Sequence, residues 1–353
     1  GTTVPLITNR MGDVRYNHTN HKFTVNNLGG WLTQFNYDPV PSPFGTTSTN
    51  TDYFLFQGTN EIAGVGGIIV FDTVHFDIGA GNTMNITNHR QGMITPLGEV
   101  SGSILIGRAL YFNNGITTTD RLFPVQSAVV FVNSAFYDGG LTDAQHVDGF
   151  VSEVNYPDGD NLPFGHNGDF TFPVGNGSEV YPLRRQGTFT AGEHLLTVGW
   201  VDGNPNITVD PTQGIANQTG PGFLEAGISA VVPVGFWDWH YLDATIPDPS
   251  GEDLEGAVAL TTNQTITVSI PGLDGILAGA NASDLRLVGY DPVNFEWKNL
   301  GSAGASGLTK GSLLSGVIPA NQLITAIAIG SITNIILPVT FTSFTATAEG
   351  CKA

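Results

Sequence analysis

Short apolar stretches alternate with turns along this chain, and almost none carries the three-to-four spacing of an amphipathic helix. The clearest stretch is 68–78. Ile68, Val70, Val74, Phe76 and Ile78 fall on one face, interrupted by Asp72; Ile69, Phe71, Thr73, His75 and Asp77 fall on the other. Further strands are predicted at 53–57, 83–87, 103–106, 109–112 and 128–132, separated by turns such as Gly79-Ala80-Gly81-Asn82 and Asn113-Asn114-Gly115. Their recurrence is close to the roughly 20–25 residues of a solenoid coil, so residues 1–165 read as a short β-solenoid or an irregular sandwich.

A polar, turn-rich segment at 155–169 marks a change. Beyond it, better separated strands are predicted at 170–174, 193–201, 227–234, 236–242, 264–270, 285–290 and 322–329. That number of strands suits a β-sandwich over 166–335. The fold class is therefore all-β, with the boundary near residue 165 and an extended tail over 336–353.

Composition narrows the partners. The 353 residues carry 31 acidic and 12 basic side chains, a net charge of -19, and only 12% are charged. Such a surface repels nucleic acid and anionic lipid. Residues 311–348 carry no charge at all, yet Gly316, Pro319, Asn321, Gly330, Asn334 and Pro338 break them up, so no membrane-spanning helix is expected. The start at Gly1 suggests a mature, processed form. Cys351 is the single cysteine, so no internal disulfide can form; it reads as an intermolecular link or the remnant of a pair.

Several motifs resemble large secreted surface proteins of Bacteroidota exported by type nine secretion. These are His146-Val147-Asp148-Gly149-Phe150-Val151, then Phe170-Thr171-Phe172-Pro173-Val174-Gly175 and Tyr181-Pro182-Leu183. Upstream, 64–78 and 110–117 are similar to coils that precede this arrangement. Downstream, Phe236-Trp237-Asp238-Trp239 and 285–290 are similar to sandwich strands, and 337–346 resembles the opening of the domain that leads into the sorting signal. The resemblance implies export, residence outside the cell, and an adhesin or filament role more often than catalysis. In the family a whole sandwich follows this last segment; here the sequence stops at Ala353, which would leave one strand without its neighbours.

That strand carries the functional expectation. Val339, Phe341 and Ser343 fall on one face of the tail, and Thr340, Thr342 and Phe344 on the other. An extended segment of this kind can complete a neighbour's sheet, main-chain bonds giving affinity and alternate side chains filling pockets. Repeated head to tail, such contacts make a fibre. The expectation is a homo-oligomeric structural subunit joined through Val339, Phe341, Ser343 and Phe344; the bland reading is a tail that closes its own sheet.

No catalytic motif stands out, and no enzyme is expected: there is no nucleophile elbow, zinc-protease helix, phosphate loop or dinucleotide fingerprint. His18 and His21 lack further zinc ligands and read as a solvated loop. His75 and Asp77 share a face without a nucleophile beside them. Asp158, Asp160 and Asp169 offer hard oxygens for Ca2+ or form a plain polar turn. Trp237 and Trp239, two apart on one face, are either a sugar-stacking platform, which would make the chain a monomeric surface adhesin or carbohydrate-binding module, or sandwich core.

Overall fold

The computed structural model describes residues 6–9, 13–17, 22–26, 32–36, 54–65, 68–87, 104–122, 127–132, 135–155, 168–188, 194–206, 224–243, 259–274, 276–277 and 281–333. The first strands are β1 (Leu6–Asn9), β2 (Asp13–Asn17), β3 (Lys22–Asn26), β4 (Leu32–Asn36), β5 (Phe54–Gln57), β6 (Asn60–Val65) and β7 (Ile68–Asp77). They are followed by β8 (Thr83–Ile86), β9 (Ile104–Asn114), β10 (Ile116–Thr119), β11 (Val129–Val132), β12 (Phe136–Asp138), β13 (Val147–Asp148) and β14 (Phe150–Asn155). Next come β15 (Gly168–Phe172), β16 (Val174–Asn176), β17 (Glu179–Val180), β18 (Leu183–Gly187), β19 (His194–Val201) and β20 (Ala230–Asp243). The remaining strands are β21 (Gln264–Ser269), β22 (Leu285–Asp291), β23 (Glu296–Asn299), β24 (Leu313–Ile318) and β25 (Ala326–Ser331). A 3-10 turn, Ala282–Asp284, precedes β22.

The first half is a β-solenoid. One parallel ladder runs β4-β7-β9-β11-β14 and a second runs β3-β6-β8-β10-β13-β16. The coils send strands to both sheets, β5 and β12 joining the first sheet as extra parallel partners of β7 and β9, and the inward side chains meet between the sheets. Phe71, Val74, Phe76, Met84, Ile86, Ile106, Leu110, Phe131 and Val151 belong to that interior. Of the two architectures open in the sequence for this region, the parallel pairing selects the solenoid.

At β14 the ladder changes sense. β19 pairs with it antiparallel, and β20, β25, β22 and β23 follow antiparallel, extending the first sheet to 13 strands. A four-stranded antiparallel sheet, β15-β18-β21-β24, covers the inner face of this extension. One continuous core runs from Phe56 in the solenoid to Trp200, Trp237 and Ile266 between the sandwich sheets. The boundary expected near residue 165 lies outside the described residues, and the large sheet itself continues from β14 into β19.

Three details depart from the periodicity. Phe71, expected on the outer face, is fully buried against Phe56, because the register between β7 and β9 shifts at Phe71/Thr73 and turns Phe71 and Val74 to the same side. The strands read at 103–106 and 109–112 are one, β9, which runs Ile104–Asn114. The strands read at 227–234 and 236–242 are one, β20, with a register shift between Val231 and Phe236. Gly235 sits in that shift at φ 129°, and a Cβ there would lie 2.3 Å from Trp200 Cζ2.

Gly235→Ala is therefore expected to destabilise the protein by about 2–4 kcal/mol, combining backbone strain with overpacking. Urea unfolding reads this directly; an unchanged midpoint would contradict the packing described.

Candidate functional site: a sheet edge beside an aromatic depression

A β-sheet ends in a row of unpaired main-chain groups, and proteins manage such edges with side chains, loops or short strands. At β23 the amide of Glu225 donates to Trp297 O (3.0 Å), and the Glu225 carboxylate accepts the Asn299 amide (2.7 Å). At β24 the Val317 amide donates to Leu300 O (2.6 Å), while Leu313 is bracketed by Ser306, whose amide and hydroxyl take its carbonyl and its amide. At β17 the Val180 amide donates to Asp143 (3.0 Å).

The edge at β15 is handled differently. Val147 N–H meets Pro173 O just beyond the strand (2.8 Å). Within the strand, the Thr171 carbonyl accepts a hydrogen bond from the Tyr137 hydroxyl (2.5 Å). In an antiparallel pair alternate residues turn both polar groups away from the partner, so the outward carbonyl of Thr171 places the outward groups at Thr171 and Asp169. Among the described residues no strand lies beyond β15.

Beside this edge is a depression of about 400 Å³, lined by Phe136, Tyr137, Asp169, Phe170, Thr171 and Arg184. Its walls come from β12, β15 and β18. Phe136 is 47% exposed. Tyr137 is packed among Phe112, Phe131 and Phe170 with ring centroids 6.2, 5.5 and 5.9 Å away. Burial pushes its hydroxyl well above the usual tyrosine range, so it stays protonated and remains a donor. Among the described residues the charges of the depression cancel: Arg184 Nε donates to Asp169 Oδ1 (2.7 Å), and that bond first of all holds the Asp169 carboxyl below its usual value.

A buried ion pair ties this small sheet to the large one. Arg185 on β18 donates to Glu153 on β14 from Nη2 (2.7 Å) and Nε (3.1 Å), and both side chains are essentially inaccessible. Nη1 reaches Gly187 O (2.6 Å) and Gln264 Oε1 (3.0 Å). Burial pushes the Glu153 carboxyl up, against the opposing pull of Arg185. Arg121 forms a second junction, donating to Trp200 O (2.6 Å), Asp148 (2.5 Å), Gly175 O (3.0 Å) and Asn176 (3.1 Å). A third joins the 139–146 loop to the small sheet: Lys310 donates to Asp143 (2.7 Å), approaches Glu179 (3.6 Å) and stands 5.6 Å over the Tyr181 ring.

Of the expected site residues, Val339, Phe341, Ser343 and Phe344 lie outside the described residues, as do Asp158, Asp160, His18, His21 and Cys351. Asp169 is engaged by Arg184, and its carboxylate is shared with that guanidinium rather than with a cluster of oxygens. The described residues hold no group of three or more His, Cys, Asp or Glu side chains spaced for a metal. His75 stacks on Tyr111 (4.3 Å between centroids), and Asp77 accepts from Gln57 (3.4 Å).

The sugar platform is corrected. Trp237 and Trp239 are 0% and 1% exposed, and Trp237 Nε1 donates to Tyr181 O (2.7 Å). They are core, because the four-stranded sheet packs over the face that carries them. The opposite face is not solvated either. Asp238 and His240 lie 2.7 Å apart and fully buried, next to the Ser152–Thr197 hydroxyl pair (2.6 Å). A second apolar cluster that includes Phe236, Tyr290 and Trp297 occupies that outer face.

Tyr137 and Thr171 were not singled out in the sequence. The Phe-Thr-Phe-Pro run did draw attention to β15, but that Thr171 faces an edge follows from the sheet order, which no local pattern encodes. No family model, curated protein or solved structure matches the chain.

Two expectations follow from the buried groups. Glu153→Gln, which strands the Arg185 charge, should cost about 3–5 kcal/mol in chemical denaturation, while the paired replacement Glu153→Leu/Arg185→Met should recover most of it. A double variant as unstable as the single one would contradict the ion-pair account. His146 supplies a pH window. Its Nδ1 sits 3.3 Å from Thr142 O, and its buried Nε2 has no partner among the described residues. Burial lowers its pKa below 6.5, so below about pH 6.5 the unfolded chain takes a proton that the folded one refuses. Stability should be full above that pH and fall with acidification, by up to about 1.4 kcal/mol per pH unit. His146→Gln should reduce this slope, as read by denaturation midpoints between pH 7 and 5, leaving only the smaller share of His75, whose pKa burial also lowers; an unchanged slope sinks the assignment.

Proposed function

We propose that this chain is a non-catalytic, extracellular structural subunit of a surface filament or sheath, and that subunits join by β-strand donation. The observation that carries the reading is the edge of β15. It holds outward main-chain groups capped by a side-chain hydroxyl and stands beside a neutral aromatic depression. The tail supplies a suitable partner in sequence: Val339-Thr340-Phe341-Thr342 alternate apolar and small polar side chains, and residues 337–346 carry no charge. Extension of a sheet by such a segment gives affinity through main-chain bonds and selectivity through alternate side chains.

Electrostatics favours this route over a broad face-to-face contact. Two copies at -19 each repel one another, so association is least opposed through an uncharged segment. The export and surface location belong to the same proposal and rest on the motif resemblance. Among the described residues no helix is long and apolar enough to cross a membrane.

Negative-stain microscopy of the purified full chain tests the reading. Fibres of regular repeat are expected, shortened by an excess of free peptide spanning residues 336–353. Monodisperse single copies that ignore the peptide would contradict it.

A further inference from the structure

We propose that the depression at β15 is the acceptor for Phe341 of a second copy, and that the Tyr137 hydroxyl is a placeholder which the incoming strand displaces. This rests on the strand-donation reading above and adds the place, the residue and the device.

In a longer sheet, Thr171 O would accept a neighbouring strand's N–H. Here it accepts the Tyr137 hydroxyl instead. The tyrosine ring is anchored among Phe112, Phe131 and Phe170, so only its tip takes part in the edge. A side-chain hydroxyl that occupies a main-chain acceptor keeps the edge from costing an unsatisfied carbonyl in the single copy. It leaves the neighbouring outward groups of β15 for a strand.

Size and chemistry come next. About 400 Å³ falls in the range of ordinary ligand pockets, roughly 300–1,000 Å³, and the walls include Phe136, Tyr137 and Phe170. In a strand laid along β15, alternate side chains point the same way. Val339 and Phe341 would then extend the face that already carries the buried Phe170 and Phe172, while Thr340 and Thr342 would sit outward with Thr171 and Asp169. Phe341 is the large apolar member of that inward pair.

Charge selects the occupant. Arg184 and Asp169 neutralise each other at the rim, so the described residues of the site offer no net charge to a ligand. Residues 311–348 likewise carry none, in a chain whose net charge is -19. A contact between these neutral residues and a neutral segment adds no local charge–charge repulsion to that of two copies at -19 each.

The test places a photo-reactive benzoylphenylalanine at position 341 of the full chain and assembles a mixture of isotopically heavy and light copies. Mass spectrometry should then find heavy–light cross-links from 341 to residues 136–137 and 169–171. In parallel, Phe136→Asp should cut polymer yield at least about tenfold while lowering the thermal midpoint of the single copy by no more than a few degrees, because this ring is half exposed and packs only edge-on against Tyr111. Tyr137→Phe, which keeps the ring and drops the placeholder, should speed assembly by roughly fivefold, the ratio expected for one neutral hydrogen bond. Polymers that cross-link elsewhere and tolerate Phe136→Asp would overturn this acceptor while leaving strand donation standing. Cross-links confined within single copies, or no polymer under any condition, would overturn both.

Discussion

Main-chain hydrogen bonding at the ends of sheets is the constraint on which this structure turns. A solenoid satisfies its backbone by stacking coil on coil, and stacking has no internal reason to stop. Here the parallel ladder stops at β14, where β19 enters antiparallel and converts the sheet into one half of a sandwich. The change of direction creates new edges, and most have been closed with local means: a glutamate at β23, a serine and a loop carbonyl at β24, an aspartate at β17. At the β15 edge the tip of one tyrosine caps a single carbonyl, that of Thr171.

The same junction explains where the bridging charged side chains lie, of which only the Arg185–Glu153 pair is fully buried. A parallel stack and an antiparallel sandwich do not share a natural register. The side chains that bridge them are Arg185 to Glu153, Arg121 to the Trp200 and Gly175 carbonyls, and Lys310 to Asp143. Each reaches from one sheet or loop to another and fixes their relative position by directional bonds, which a purely apolar interface supplies less sharply. A buried pair of this kind contributes little net stability, since desolvation offsets most of the attraction. Its effect is on which arrangement forms.

Much of the architecture was legible in local pattern. The coil-like recurrence, the turns at Gly79–Asn82, and the apolar face carrying Val74, Phe76 and Ile78 all lead to β7 and its neighbours. Pattern failed where a register shift broke the period, at Phe71 and again inside β20. It failed differently at Asp238 and His240. An alternation of tryptophans with charged residues reads as one dry and one wet face, but the large sheet is covered on both. The aromatic depression was not legible at all, since Phe136, Tyr137, Thr171 and Arg184 come from three strands brought together only by the sheet order.

Amide hydrogen exchange along β15, compared between dispersed and assembled protein, tests the central claim most directly. The account predicts that the outward amides of Asp169 and Thr171 exchange readily in single copies and become strongly protected on assembly, while the Phe170 and Phe172 amides, turned toward β18, change little. Protection of the outward amides that is already complete in single copies, or that stays the same on assembly, would contradict it.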